Sequence, residues 1–146
     1  MKKIILLLFI TTLADTVFAQ DKFGYLDSQE ILLLMPEYKS AEKELQEFVK
    51  SLDNQLVSMN TELQNMFSDY QKNIESYTDL VKADKEAEIQ SLQARVQSFE
   101  QNAQISIQEK QADLLQPIQE KLKNVINSVA KENNYTYIFE APILLY

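Results

Sequence analysis

Apolar residues recur along this chain at alternating steps of three and four, and the positions between them are mostly Glu, Gln, Lys, Ser and Asn. One series runs Ala41, Leu45, Phe48, Leu52, Leu56, Met59, Leu63, Met66, Tyr70, Ile74, Tyr77 and Val81. Such steps keep a narrow stripe on one side of a helix, and one stripe on an otherwise polar helix is the seam of a coiled coil. The series predicts an arm helix over 36–82, with Pro36 suited to its first position and Glu37 to its positive end. A second series predicts a return helix over 86–133: Ile89, Leu92, Val96, Phe99, Ala103 and Ile107, then Leu114, Ile118, Leu122, Val125 and Val129. Lys110 interrupts this stripe, and Pro117 should bend the helix. Asn133 and Asn134 can close it, because asparagine tolerates the left-handed conformation of a helix end.

Shorter patterns flank the two series. Segment 22–26 holds Phe23, Gly24, Tyr25 and Leu26 between polar residues and reads as a strand. Asp27 is a good N-cap with Glu30 as its capping-box partner, which predicts a short helix over 28–35 that stops at Pro36. Segments 135–140 and 143–146 read as further strands, with Ala141-Pro142 as the turn between them. The only candidate for a chain reversal is the tip at 81–86, which contains neither Gly nor Pro. The stripe passes through it nearly in phase, so one continuous helix of about 95 residues also fits the periodicity. That helix would hold the strand segments ~140 Å apart, and strands this short need partners. A hairpin brings them together. The expected fold class is therefore mainly α, a long antiparallel helical hairpin with a small β-body from strands near both chain ends.

Composition supports long elements with few turns, since the chain has one glycine and three prolines. Its first nineteen residues differ in kind. Lys2 and Lys3, the apolar run Ile4 to Ile10, and Val17-Phe18-Ala19 have the layout of a secretory signal, with cleavage expected after Ala19. The apolar core is shorter than the ~20 residues that span a bilayer. With no cysteine present, a lipid anchor on a cysteine at the cleavage point is not expected. The mature chain, 20–146, is then a soluble, exported single domain. Without Lys2, Lys3 and Asp15, the 14 basic and 22 acidic residues become 12 and 21, a net charge of −9. An acidic surface repels nucleic-acid phosphate and anionic headgroups, so neither is an expected partner.

The same inventory argues against catalysis. No histidine or cysteine is available for a metal or a nucleophilic pair. No loop has the acidic spacing and glycine of a calcium site, and Gly24 alone cannot make a phosphate-binding loop. Carboxylates such as Glu86 and Glu88 read as solvated surface. Neither an enzyme nor a cofactor is expected.

Two residue groups remain open in meaning. Phe48, Met59, Met66, Phe67, Tyr70 and Tyr77 fit packing between the arms first, since most sit on the seam, and second a soft surface that adapts to varied apolar partners. Val49, Val57, Phe67 and Ile105 lie off the seam and are the candidates for contact with a bound protein. Gln90, Gln93, Gln97, Gln101, Gln104, Gln108 and Gln111 form a stripe of their own. Glutamine is an ordinary surface helix former, but the stripe would also serve as a neutral hydrogen-bonding wall.

The end segments resemble the Skp/OmpH-type periplasmic chaperones, in the version typical of Bacteroidetes. The resemblance is carried by Lys22–Ile31 (KFGYLDSQEI), Met35–Lys39 (MPEYK), Leu114–Ile118 (LLQPI), Ala130–Tyr135 (AKENNY) and Tyr137–Glu140 (YIFE). It implies a jellyfish-shaped homotrimer in the periplasm. Strands near both chain ends would form its body, with Phe23, Tyr25, Tyr137 and Phe139 as candidate oligomer residues. It also implies an ATP-independent holdase that keeps unfolded outer-membrane β-barrel proteins from aggregating in a cavity between the arms. The alternative from another class is a structural or adaptor coiled coil of the cell envelope. Well-known relatives are strongly basic and this chain is acidic, so capture of clients by positive charge, and a basic lipopolysaccharide site, do not carry over.

Overall fold

The computed structural model describes residues 21–141; the leader expected over 1–19 and the strand expected over 143–146 lie outside them. The described elements, in order, are β1 (Phe23–Leu26), α1 (Ser28–Leu34), α2 (Pro36–Asn73), α3 (Asp79–Glu132) and β2 (Tyr137–Glu140). This is the mainly helical class with a small terminal sheet that the sequence predicts. The chain divides into two compact units, residues 21–28 with 124–141, and Gln29–Lys123.

In the first unit, β1 and β2 pair in parallel, with Phe23 opposite Tyr137 and Tyr25 opposite Phe139. Parallel strands require a long crossover, and here everything from Asp27 to Thr136 supplies it. The pairing begins at Lys22, whose carbonyl accepts a hydrogen bond from the Thr136 amide at 2.7 Å. Helix α3 ends as its asparagines predict. Asn134 is left-handed, at φ 56°. The Tyr135 amide donates to the Ala130 carbonyl at 2.9 Å and the Asn134 amide to Lys131 at 3.2 Å. Those two bonds make a Schellman motif.

The second unit contains the hairpin. Pro36 opens α2 behind an extended Met35, as expected. Cross-helix contacts set the register: Lys121 donates to Glu37, Lys110 to Glu44 at 2.6 Å, and Tyr70 to Glu86. The arms therefore run antiparallel. The seam is thin. Among the described residues the buried apolar side chains are Ala41 from α2 and Ile89, Leu92, Val96, Ile118 and Leu122 from α3, while the α2 stripe from Leu45 to Tyr70 is only half-buried. Each buried aliphatic residue contributes about 1.5–3 kcal/mol, so a few positions at the two ends of the seam carry most of its packing.

The reversal lies elsewhere than 81–86. It occupies Ile74 to Thr78, α2 ends at Asn73 rather than 82, and α3 begins at Asp79 rather than 86. The turn needs no glycine because polar side chains satisfy its backbone. The Ser76 amide and hydroxyl both donate to the Asn73 carbonyl, at 2.9 and 2.7 Å. Thr78 Oγ1 then accepts from the Val81 amide at 3.4 Å, an N-cap contact that starts α3. Ile74, Leu80 and Val81 are consequently exposed; they border a turn instead of extending the seam. Val125 and Val129 are exposed too, and Ile126 and Ala130 take the half-buried positions. Pro117 lies within α3 without ending it. It sits on an exposed position, where water can serve the carbonyl that loses its helical donor.

Candidate functional site

Side chains alternate across a strand, and both strands follow the same exposed–half-buried alternation. The parallel register therefore puts Phe23, Tyr25, Tyr137 and Phe139 on one face of the sheet. They are 58, 76, 58 and 43% exposed. Phe23 and Tyr137 stack at 6.0 Å between ring centroids, and Phe139 lies 6.0 Å from Phe23 and 6.3 Å from Tyr137. Three of the four candidate body residues thus form one aromatic cluster, and Tyr25 shares their face opposite Phe139. A parallel pair is normally covered on both faces, and two strands alone are marginal in water.

The other face of the sheet is held within its own unit. Gly24 approaches Tyr135 so closely that an added Cβ would stand 3.1 Å from the ring. The Lys22 ammonium sits 4.2 Å from the centre of that ring and donates to the Asn133 carbonyl at 2.9 Å. It thereby places positive charge at the negative end of α3. Glu140 accepts from the Ser28 amide at 2.7 Å and from its hydroxyl at 2.8 Å, tying β2 to the start of α1. This contact was missed in the sequence because its partners are 112 residues apart.

On the hairpin, Val57, Phe67 and Ile105 are exposed and Val49 is half-buried. Val49, Val57 and Phe67 each follow a seam residue by one position, so at ~100° per residue they fall on the same side of α2. Ile105 does not join them; it points away from the α3 seam. The arms carry different chemistry on their two flanks. Two recesses share Ala41 and Leu114 and so open on opposite sides of the seam. One, about 190 Å³, is lined by Tyr38, Glu42 and Leu45 with Gln111 and Leu115; it continues the flank of Val49 and of the glutamine stripe. The other, about 510 Å³, holds the Glu37, Glu44 and Lys121 flank. Farther along that second flank, Glu62, Asp84, Glu88 and Arg95 line a recess of about 390 Å³. At the Pro36 end of that flank, hydrogen bonding from Lys121, then from its own backbone amide, holds the Glu37 carboxyl below its usual range.

Among the described residues no group of three or more acidic, histidine or cysteine side chains is placed to hold a metal ion. None of their helices is long and apolar enough to cross a membrane.

A single-seam helical hairpin joined to a small sheet with an open aromatic face defines the structural class. Within it, the model of the family described as "Outer membrane protein (OmpH-like)" matches residues 22–146, and the chain belongs to that family. The family is one of periplasmic chaperones, and membership supports a general chaperone role for outer-membrane proteins. No individually curated protein matches the chain.

Proposed function

We propose that this protein is an ATP-independent holdase that binds unfolded outer-membrane β-barrel proteins in the periplasm and works as a homotrimer. The observation carrying the reading is the open aromatic sheet face in a chain of this family. A two-stranded sheet with four large rings facing water needs a partner, and further copies of the same sheet offer a matching surface. The hairpin supplies exposed apolar side chains along slender arms, which suits holding a client without enclosing it in a rigid pocket. Diluting a urea-denatured β-barrel protein into buffer with and without the mature chain tests the function. Light scattering should stay low when the protein is present and rise when it is absent. Equal aggregation in both would move the envelope-adaptor alternative ahead.

A further inference from the structure

We propose that the glutamine-lined flank of the hairpin is the surface on which a client lies, as an extended chain bound through its backbone. This rests on the holdase reading and assigns it a surface. The seven glutamines from Gln90 to Gln111 are all exposed, and at ~100° per residue they hold one band of α3 centred about a third of a turn from the buried Leu92–Val96 line. That band carries no charge over its length. Among the described residues none of its carboxamides is engaged with another protein group. Each carboxamide offers two donors and an acceptor, the same complement a peptide group requires.

Three further features favour this flank. Tyr38 and Leu115 line a recess with Gln111 at its lower end, and Val49 and Phe67 fall on the same side of α2 as Tyr38, where they offer apolar contact. On the opposite flank Glu37 and Glu44 are engaged with lysines of the facing helix, which leaves that stretch less able to rearrange around a guest. Spacing also matters. The glutamines recur every ~5.3 Å along the helix, whereas alternate residues of an extended chain recur every ~6.7 Å. The two repeats do not lock, so no client register is preferred and a chain of any sequence can slide along the line. Uncharged amides also make binding indifferent to client charge, which an acidic holdase requires.

The test compares two triple variants with the same added charge. In Gln97→Glu, Gln101→Glu and Gln104→Glu, each side chain keeps its shape but loses both donors and gains a charge that contact must desolvate. Ser58→Asp, Ser91→Asp and Asn102→Asp add three charges on the other flank. Half-maximal suppression of aggregation of a denatured β-barrel protein should need roughly tenfold more of the glutamate triple, and about the same amount of the aspartate triple as of wild type. Circular dichroism and light scattering check that helix content and oligomer size are kept. Should the glutamate triple misfold, a photocrosslinker at Phe67 or at Glu62 gives the same answer, with client adducts expected from Phe67 only. Equal loss in both triples, or adducts mainly from Glu62, overturns the assignment while leaving the holdase reading standing. Adducts between copies of this chain from Phe67 without client would also overturn it, making the flank a self-contact. A wild-type protein that never suppresses aggregation overturns the function and the assignment together.

Discussion

At the scale of single residues, the chain's only glycine is a packing requirement. A methyl group at Gly24 would press on the Tyr135 ring at 3.1 Å, the ring over which the Lys22 ammonium sits. Overpacking of this kind costs about 1–3 kcal/mol. Gly24→Ala should therefore speed hydrogen exchange of the β1 and β2 amides while leaving exchange at the hairpin seam unchanged. Residue types announced some of these local structures and hid others. Asn134 is a recognisable helix terminator, and its left-handed φ follows from that. The four aromatic body candidates were legible in pairs, since alternation puts Phe23 with Tyr25 and Tyr137 with Phe139, but only the parallel register brings the pairs to one face. Glu140 carried no such signal, because its bond to Ser28 exists only once distant segments meet.

At the scale of elements, the helices were readable from periodicity and the tip was not. The apolar pattern runs on through Ile74, Tyr77 and Val81 with helical spacing, so it hides a reversal that Asn73, Ser76 and Thr78 build from side-chain hydrogen bonds. A search for glycine or proline looks past such a turn; the Thr-Asp pair at 78–79 was its only local sign. The seam itself makes a sharp contrast testable. Leu92 is 3% exposed and Val57 64%, so Leu92→Ala should destabilise by about 2–4 kcal/mol and Val57→Ala by no more than about 0.5 kcal/mol in urea melts followed by circular dichroism. Acid should loosen the hairpin near Glu37. Its carboxyl titrates below its usual range because Lys121 donates to it, so the native state holds the deprotonated form. That contribution is complete at neutral pH and is lost as pH falls through and below the carboxylate range. Glu37→Gln should flatten this part of the pH dependence, measured as the urea midpoint against pH.

At the scale of the whole molecule, assembly and client capture should respond to different perturbations. A carboxylate at Tyr25 or Phe139 would have to be desolvated within the proposed aromatic contact. If the proposed trimer forms through this face, Tyr25→Glu and Phe139→Glu should each reduce it to single chains by light scattering, with helix content largely retained. Client binding should behave otherwise. The expected mature chain has a net charge of −9, so ~0.5 M salt, which shortens the Debye length to a few ångströms, should leave affinity for an unfolded barrel within a few-fold. A steep loss with salt would instead point to the few lysines as the capturing groups.

The parallel pairing of β1 with β2 also fixes an order of events. Lys22 and Thr136 are 114 residues apart, so the sheet closes one of the longest loops the chain permits, at an entropic cost that grows slowly with length but must be met before the strands reward it. The hairpin closes locally, from contacts such as Tyr70 with Glu86, 16 residues apart. In a chain that emerges from its N-terminus, the arms can zip up while β2 is still absent, and the aromatic surface does not yet exist. Folding of the arms is therefore separable in time from the proposed self-association, which would wait for the arrival of Tyr137–Glu140. A partly emerged copy would carry finished arms yet remain unable to recruit its neighbours prematurely.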